Sequence, residues 1–354
     1  MSFQREKFRT LATNIPHLWL YLGLIFAFLI KDVGAAWDAS YHFIHFRDLF
    51  QGPHLLNGFG DVLVLVLLIY LWLIEPTAVR SQLKIILYGL VIFVIAIFFD
   101  QWYHLKFGID LTTWSPSHFM LYTGTFVGIL GSFLYILKDY RHSSLPPQMM
   151  GIFSVIFLWL ILSCLWFPLL QQEQGVITDY YLRHGVRLAD PELLNSFFYT
   201  QHDVYSGLPG WLYGAWAVLS IVFTFKLTKL INLYKFGATI VAGLYLLDRF
   251  IMNTIFDATK YPLSALPYFV IIVALAFDIL YNSIKKEFIL RDVVSSAAPL
   301  AGVIILGLFN PEFPIHPPIP MLETFLFAIP GAVLGYFSAV LVYNLLFSKV
   351  LHVK

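Results

Sequence analysis

Residues 84–138 read KIILYGLVIFVIAIFFDQWYHLKFGIDLTTWSPSHFMLYTGTFVGILGSFLYILK. Two apolar runs of about twenty residues flank one short polar tip, and a run of that length crosses the hydrocarbon core of a bilayer as a helix. The tip between them is long enough only for a reversal, so the stretch is a transmembrane helical hairpin. The pattern extends in both directions. Spans are expected near 17–36, 59–77, 84–103, 118–138, 150–170, 209–228, 237–256, 264–283, 293–309 and 322–347. The fold class is therefore all-α, a polytopic transmembrane helix bundle of about ten spans. The chain reads as one integral membrane domain over 1–354, with hairpins at about 17–77 and 84–138 and a loop or cap of short helices at about 171–208.

Composition agrees. Of 354 residues, 59% are hydrophobic and 12% charged, whereas a soluble domain carries about a quarter charged. The solvent for most of this surface must be lipid, so the bilayer is the first partner, and neighbouring membrane subunits are a second. A formal charge of +1 without a basic stripe excludes a nucleic-acid partner. The single cysteine, Cys164, lies in an apolar run and rules out a disulfide framework. No small-residue cleavage site follows the first apolar run, so that span is expected to be retained. With the N-terminus inside, Lys and Arg fall fifteen to seven in favour of the cytoplasmic side. The positive-inside rule then puts both termini in the cytoplasm and the His- and Asp-rich loops outside.

Two hairpin tips repeat one another. DASYHFIHFRDLFQGPH from Asp38 and DQWYHLKFGIDLTTWSPSH from Asp100 share the frame D-x2-Y-H-x5-D-L, followed by a proline and a histidine. Asp38, Tyr41, His42, Asp48 and His54 correspond to Asp100, Tyr103, His104, Asp110 and His118. A third hairpin, around Asp248 to Asp257 and on to Pro262, looks like the same unit without its histidines.

Helix geometry gives these tips a chemistry. Asp100 and His104 are four residues apart, so a helix continuing through them stacks both on one face. Ser115-Pro116 is a helix start, serine as N-cap and proline first, which places His118 in the returning first turn. Asp38, His42 and His54 repeat the arrangement, with Gly52-Pro53 opening the second helix. One carboxylate and two imidazoles at each tip form a ligand set for copper, zinc or iron(II). Asp48 and Asp110 are placed to accept imidazole N–H groups behind the ligands. Asp61, seven residues past His54 on the same helix face, and His202, in the long loop, could assist. Trp102 and Trp114 could wall water from the second site. The alternative for each residue is an ordinary capping or loop role. Asp278 within a span could line a polar path or hydrogen-bond a neighbouring helix, and Asp248 and Asp257 read as structural.

The stretch DQWYHLKFGIDLTTWSPSH, with its partner block, resembles the C subunit of the copper membrane monooxygenases, the particulate methane and ammonia monooxygenases. The resemblance covers about residues 30–130. It implies one copper site at Asp100, His104 and His118 and another at Asp38, His42 and His54. Both blocks here begin with Asp, and the chain has more spans than that subunit, so the resemblance implies copper rather than a particular substrate.

Three functions follow from these readings. The first is a membrane metalloprotein, copper before zinc or iron, possible as a subunit of a monooxygenase-like or other oxidoreductase complex. The second is a copper or zinc transporter or donor, which should string polar residues across several helices, whereas here they gather at one end. The third is a structural or assembly subunit.

Overall fold

The computed structural model describes residues 17–42, 51–75, 79–107, 114–139, 146–169, 210–231, 234–261, 263–264, 266–284, 288–309 and 321–347. Among them are ten α-helices and no strand: α1 His17–His42, α2 Gly52–Ile74, α3 Arg80–Phe107, α4 Pro116–Asp139, α5 Pro147–Trp166, α6 Gly210–Ile231, α7 Gly237–Thr259, α8 Phe269–Ser283, α9 Phe288–Phe309 and α10 Met321–Phe347. Eight of these helices are long and apolar enough to cross a membrane. The protein is thus a multi-pass integral membrane protein of helical-bundle class.

Each expected span coincides with a helix, and the bounds differ at both ends: α1 runs on to His42 rather than stopping at 36, and α3 to Phe107 rather than 103. α2 begins at Gly52, not near 59, because Pro53 sits in its first turn, where a missing N–H costs nothing. α8 is shorter than its expected 264–283 span, with 15 residues from Phe269. Ser264 is instead tied back to Asn253 through its N–H at 3.0 Å and its hydroxyl at 2.9 Å, which keeps it out of the helix. The loop or cap expected at 171–208 lies outside the described residues.

The chain forms two compact units. One contains Met1–Asp38, Phe46–Lys106 and Trp114–Cys164; the other contains Ala39–His45, Phe107–Thr113 and Leu165–Lys354.

In the first unit, helices are drawn together by glycine, as is usual where lipid removes the hydrophobic drive for helix association. Gly124 and Gly128 of α4, spaced as G-x3-G, lie against Gly89 and Phe93 of α3. A β-carbon on Gly124 would fall 2.6 Å from the Phe93 nitrogen, and one on Gly131 would fall 2.7 Å from that of Ile86. The opposite side of α3 carries Val91, Ile95, Phe98 and Leu105, all exposed, with Phe98 at 72%. Such a stripe is at home only in lipid.

In the second unit, α6 and α10 make the closest pair. A β-carbon on Gly335 of α10 would lie 2.5 Å from the Leu219 carbonyl of α6. Two buried ion pairs join neighbouring helices, Lys226–Asp292 and Lys229–Asp278, each at 2.6 Å. Asp278 also accepts from the N–H and hydroxyl of Thr239 at 2.8 and 2.7 Å, at the start of α7. Of its two expected roles, Asp278 therefore takes the helix-to-helix one.

Candidate metal centre

α3 runs unbroken from Arg80 to Phe107, so Asp100 and His104 occupy successive turns of one face. His104 Nε2 is 2.9 Å from Asp100 Oδ1. The second histidine arrives from α4. The Ser115 hydroxyl accepts the His118 N–H at 3.3 Å, an N-cap bond to the third helical residue. His118 Nε2 then lies 3.4 Å from the same Asp100 oxygen, and the two imidazole centroids are 5.7 Å apart. One donor atom from each of the three residues falls within 4.8 Å of the others. The His104 side chain is 3% exposed, and those of Asp100 and His118 are 19% and 20% exposed.

These separations fit a metal. Two donors each ~2.05 Å from a common ion lie ~2.9 Å apart at a right angle and ~3.3 Å apart at the tetrahedral angle. The 2.9 and 3.4 Å measured from Asp100 Oδ1 match both. The set of one carboxylate and two imidazoles suits copper, zinc or iron and leaves coordination positions open.

The first tip is only partly described. His54 Nε2 lies 2.9 Å from Asp38 Oδ1, with side chains 31% and 27% exposed. The side chain of His42 and the whole of Asp48, Asp110 and His202 lie outside the described residues. Gln51 caps α2 without a side-chain hydrogen bond, so His54 lacks the support that Ser115 gives His118. Asp61 is on the expected helix face, but its carboxylate is taken by Lys31 of α1 at 2.5 Å. It is one level deeper than the imidazole it was expected to hold. Trp102 is 53% exposed and stacks on Phe99, so it covers the outside of α3 rather than the site. At the third hairpin Asp248 pairs with Arg249 at 2.8 Å, the structural role its sequence implied.

Sequence reasoning missed a second cluster at the opposite end of the first unit. His17 Nδ1 lies 2.8 Å from Asp139 Oδ2, and the Tyr21 hydroxyl donates to the same oxygen at 2.6 Å. The Tyr135 hydroxyl donates to Glu75 Oε1 at 2.7 Å and lies 3.4 Å from Asp139. Glu75 and Asp139 are 5% and 4% exposed. Only their positions at the ends of apolar runs hinted at this. His17 and Asp139 are 122 residues apart, beyond any spacing rule.

Comparison with protein families, with curated proteins and with solved structures gives no match for this chain.

Proposed function

We propose that the protein is a membrane metalloprotein whose principal site is Asp100, His104 and His118, with copper as its metal and zinc or iron as alternatives. The observation that carries this reading is the convergence of three donors from two helices on one point, with His104 buried. Capping alone does not require a buried histidine there, and ionisable groups at a membrane edge are functional candidates by default. The resemblance to the C subunit of the copper membrane monooxygenases supports copper over the other metals. When bound, such an ion supplies Lewis-acid or one-electron chemistry at its open positions. The chain's own part is to hold the imidazoles in place: Ser115 fixes the backbone of His118, and the continuous α3 fixes His104 against Asp100. The site serves oxidation or electron transfer, within a larger membrane complex or alone.

Metal analysis of the purified protein, with electron paramagnetic resonance of any copper present, tests this. The intact protein is expected to hold copper with nitrogen hyperfine structure, and His104→Ala is expected to lose it while the protein stays abundant in the membrane. Full metal retention by a variant lacking both His104 and His42 would end the reading.

The same proposal places both termini in the cytoplasm and the tips outside. In a Cys164→Ala background, Thr112→Cys should react with an impermeant reagent from outside, and Asn232→Cys should not. The reverse pattern would invert the topology.

A further inference from the structure

Titratable side chains lie at three levels along α1 within the first unit. At the tip Asp38 meets His54. From Asp38 to Lys31 on α1 is seven residues, as is His54 to Asp61 on α2. A seven-residue step returns to nearly the same helix face ~10.5 Å along the axis. The Lys31–Asp61 pair is therefore a second rung on the same antiparallel seam. Gly60 makes room for it, because a β-carbon there would meet the aliphatic stem of Lys31. The third level is the far cluster, in which His17 and Tyr21 meet Asp139 and Tyr135 joins Asp139 to Glu75.

The middle rung decides which cation such a seam can carry. The Lys31 ammonium, 2% exposed, sits 2.5 Å from the Asp61 carboxylate and 3.4 Å from the centroid of the Phe93 ring. A metal ion on Asp61 would have to occupy the place of that ammonium. Other ionisable groups nearby are Asp32, which accepts from Ser163 of α5 at 2.7 Å, and Cys164, whose thiol donates to the Tyr122 carbonyl of α4. A Lys–Asp pair and a tyrosine-bridged pair of carboxylates have one cation in common that both can accept, the proton.

We propose that this seam is a proton route between the two faces of the first unit. In the middle step Lys31 Nζ gives a proton to Asp61, leaving a neutral amine and a neutral acid. The acid releases its proton toward one face, and the amine takes a new one from the other. The pair returns to its starting charge and one proton has moved. At the far end His17, with a side chain 43% exposed, connects Asp139 to water. Between Tyr21 and Lys31, ~15 Å along the helix, the buried residues of α1 are Leu24, Ile25, Ala27 and Phe28. Conduction across that interval requires water to enter, so the route is slow.

The inference uses none of the residues of the principal site, Asp100, His104 and His118, and its titrating step is at Lys31 and Asp61 rather than at the Asp38–His54 tip, so one set of samples separates the two readings. The purified protein is reconstituted in liposomes holding a pH-sensitive dye, and proton entry is driven by a potassium diffusion potential. The intact protein is expected to pass protons several-fold faster than protein-free vesicles. The double variant Lys31→Met/Asp61→Leu removes both charges and keeps the volume apolar, a replacement that buried ion pairs often tolerate. It is expected to fall to the protein-free rate while the metal at Asp100, His104 and His118 is retained. Tyr135→Phe, at the far end, should slow the flux without touching the middle rung. Flux from the intact protein equal to that of empty vesicles, or from the double variant equal to that of the intact protein, overturns the proposal.

Discussion

The first two hairpins share a frame, yet position by position they have diverged. At the tips, Asp38 and His54 are about a third exposed, whereas His104 is almost fully enclosed between Asp100 and His118. One heptad deeper the contrast is sharper. Lys31 and Asp61 in the first hairpin correspond to Phe93 and Thr125 in the second. The Lys31 ammonium rests on the ring of its own counterpart, Phe93. Two hairpins that share their tip residues thus differ one heptad deeper, with the charged pair Lys31–Asp61 in the first and Phe93 with Thr125 in the second. Low-dielectric surroundings strengthen the electrostatics of a site, so on the proposed reading the second tip should hold a metal more tightly than the more exposed first.

The largest expected effect on this comparison is from removing ligands. His104→Ala should reduce metal affinity beyond the ~10–100-fold that outer-shell changes cost, and His54→Ala should reduce total bound metal far less. Equilibrium dialysis of the two variants checks this, and equal losses would erase the distinction. Next comes packing. Gly124→Leu forces α3 and α4 apart and should cost at least the ~1–3 kcal/mol typical of overpacking, seen as a lower unfolding temperature in detergent. Gly58→Ala in α2 has open space around its position, so no loss is expected, and up to ~1 kcal/mol of helix propensity stands to be gained. The smallest effect concerns the helix starts. Ser115→Ala should cost ~1 kcal/mol and loosen metal a few-fold through His118. Gln51→Ala, which removes no side-chain cap bond from α2, should cost that helix start less than Ser115→Ala costs α4.

The spans and the meeting of Asp100, His104 and His118 were legible in the sequence because both depend on local rules. Apolar run length sets the spans, the i,i+4 spacing pairs Asp100 with His104, and Ser-Pro starts α4. Where tertiary contact decides, the sequence was silent or misleading. The face of Asp61 was read correctly, but its partner Lys31 comes from another helix, and nothing in the spacing of 31 and 61 announces them. The polar residues were read as gathered at one end because the Lys31–Asp61 pair and the cluster of His17, Glu75 and Asp139 are each assembled from different helices and their ends, and no sequence spacing links their members. The G-x3-G of Gly124 and Gly128 is local too, a sequence signature of close helix contact.

That glycine contact has a consequence for how the metal centre answers to its surroundings. Where α3 meets α4 at Gly89, Gly124 and Gly128, backbone rests on backbone, so helix separation is fixed by peptide groups that have no alternative rotamers. A bilayer of different thickness is met by tilting whole helices, at a modest cost per ångström. The second hairpin should then tilt as a strut, carrying Asp100, His104 and His118 with their mutual spacing intact. Metal affinity at this site should therefore be the same in short-chain and long-chain lipids.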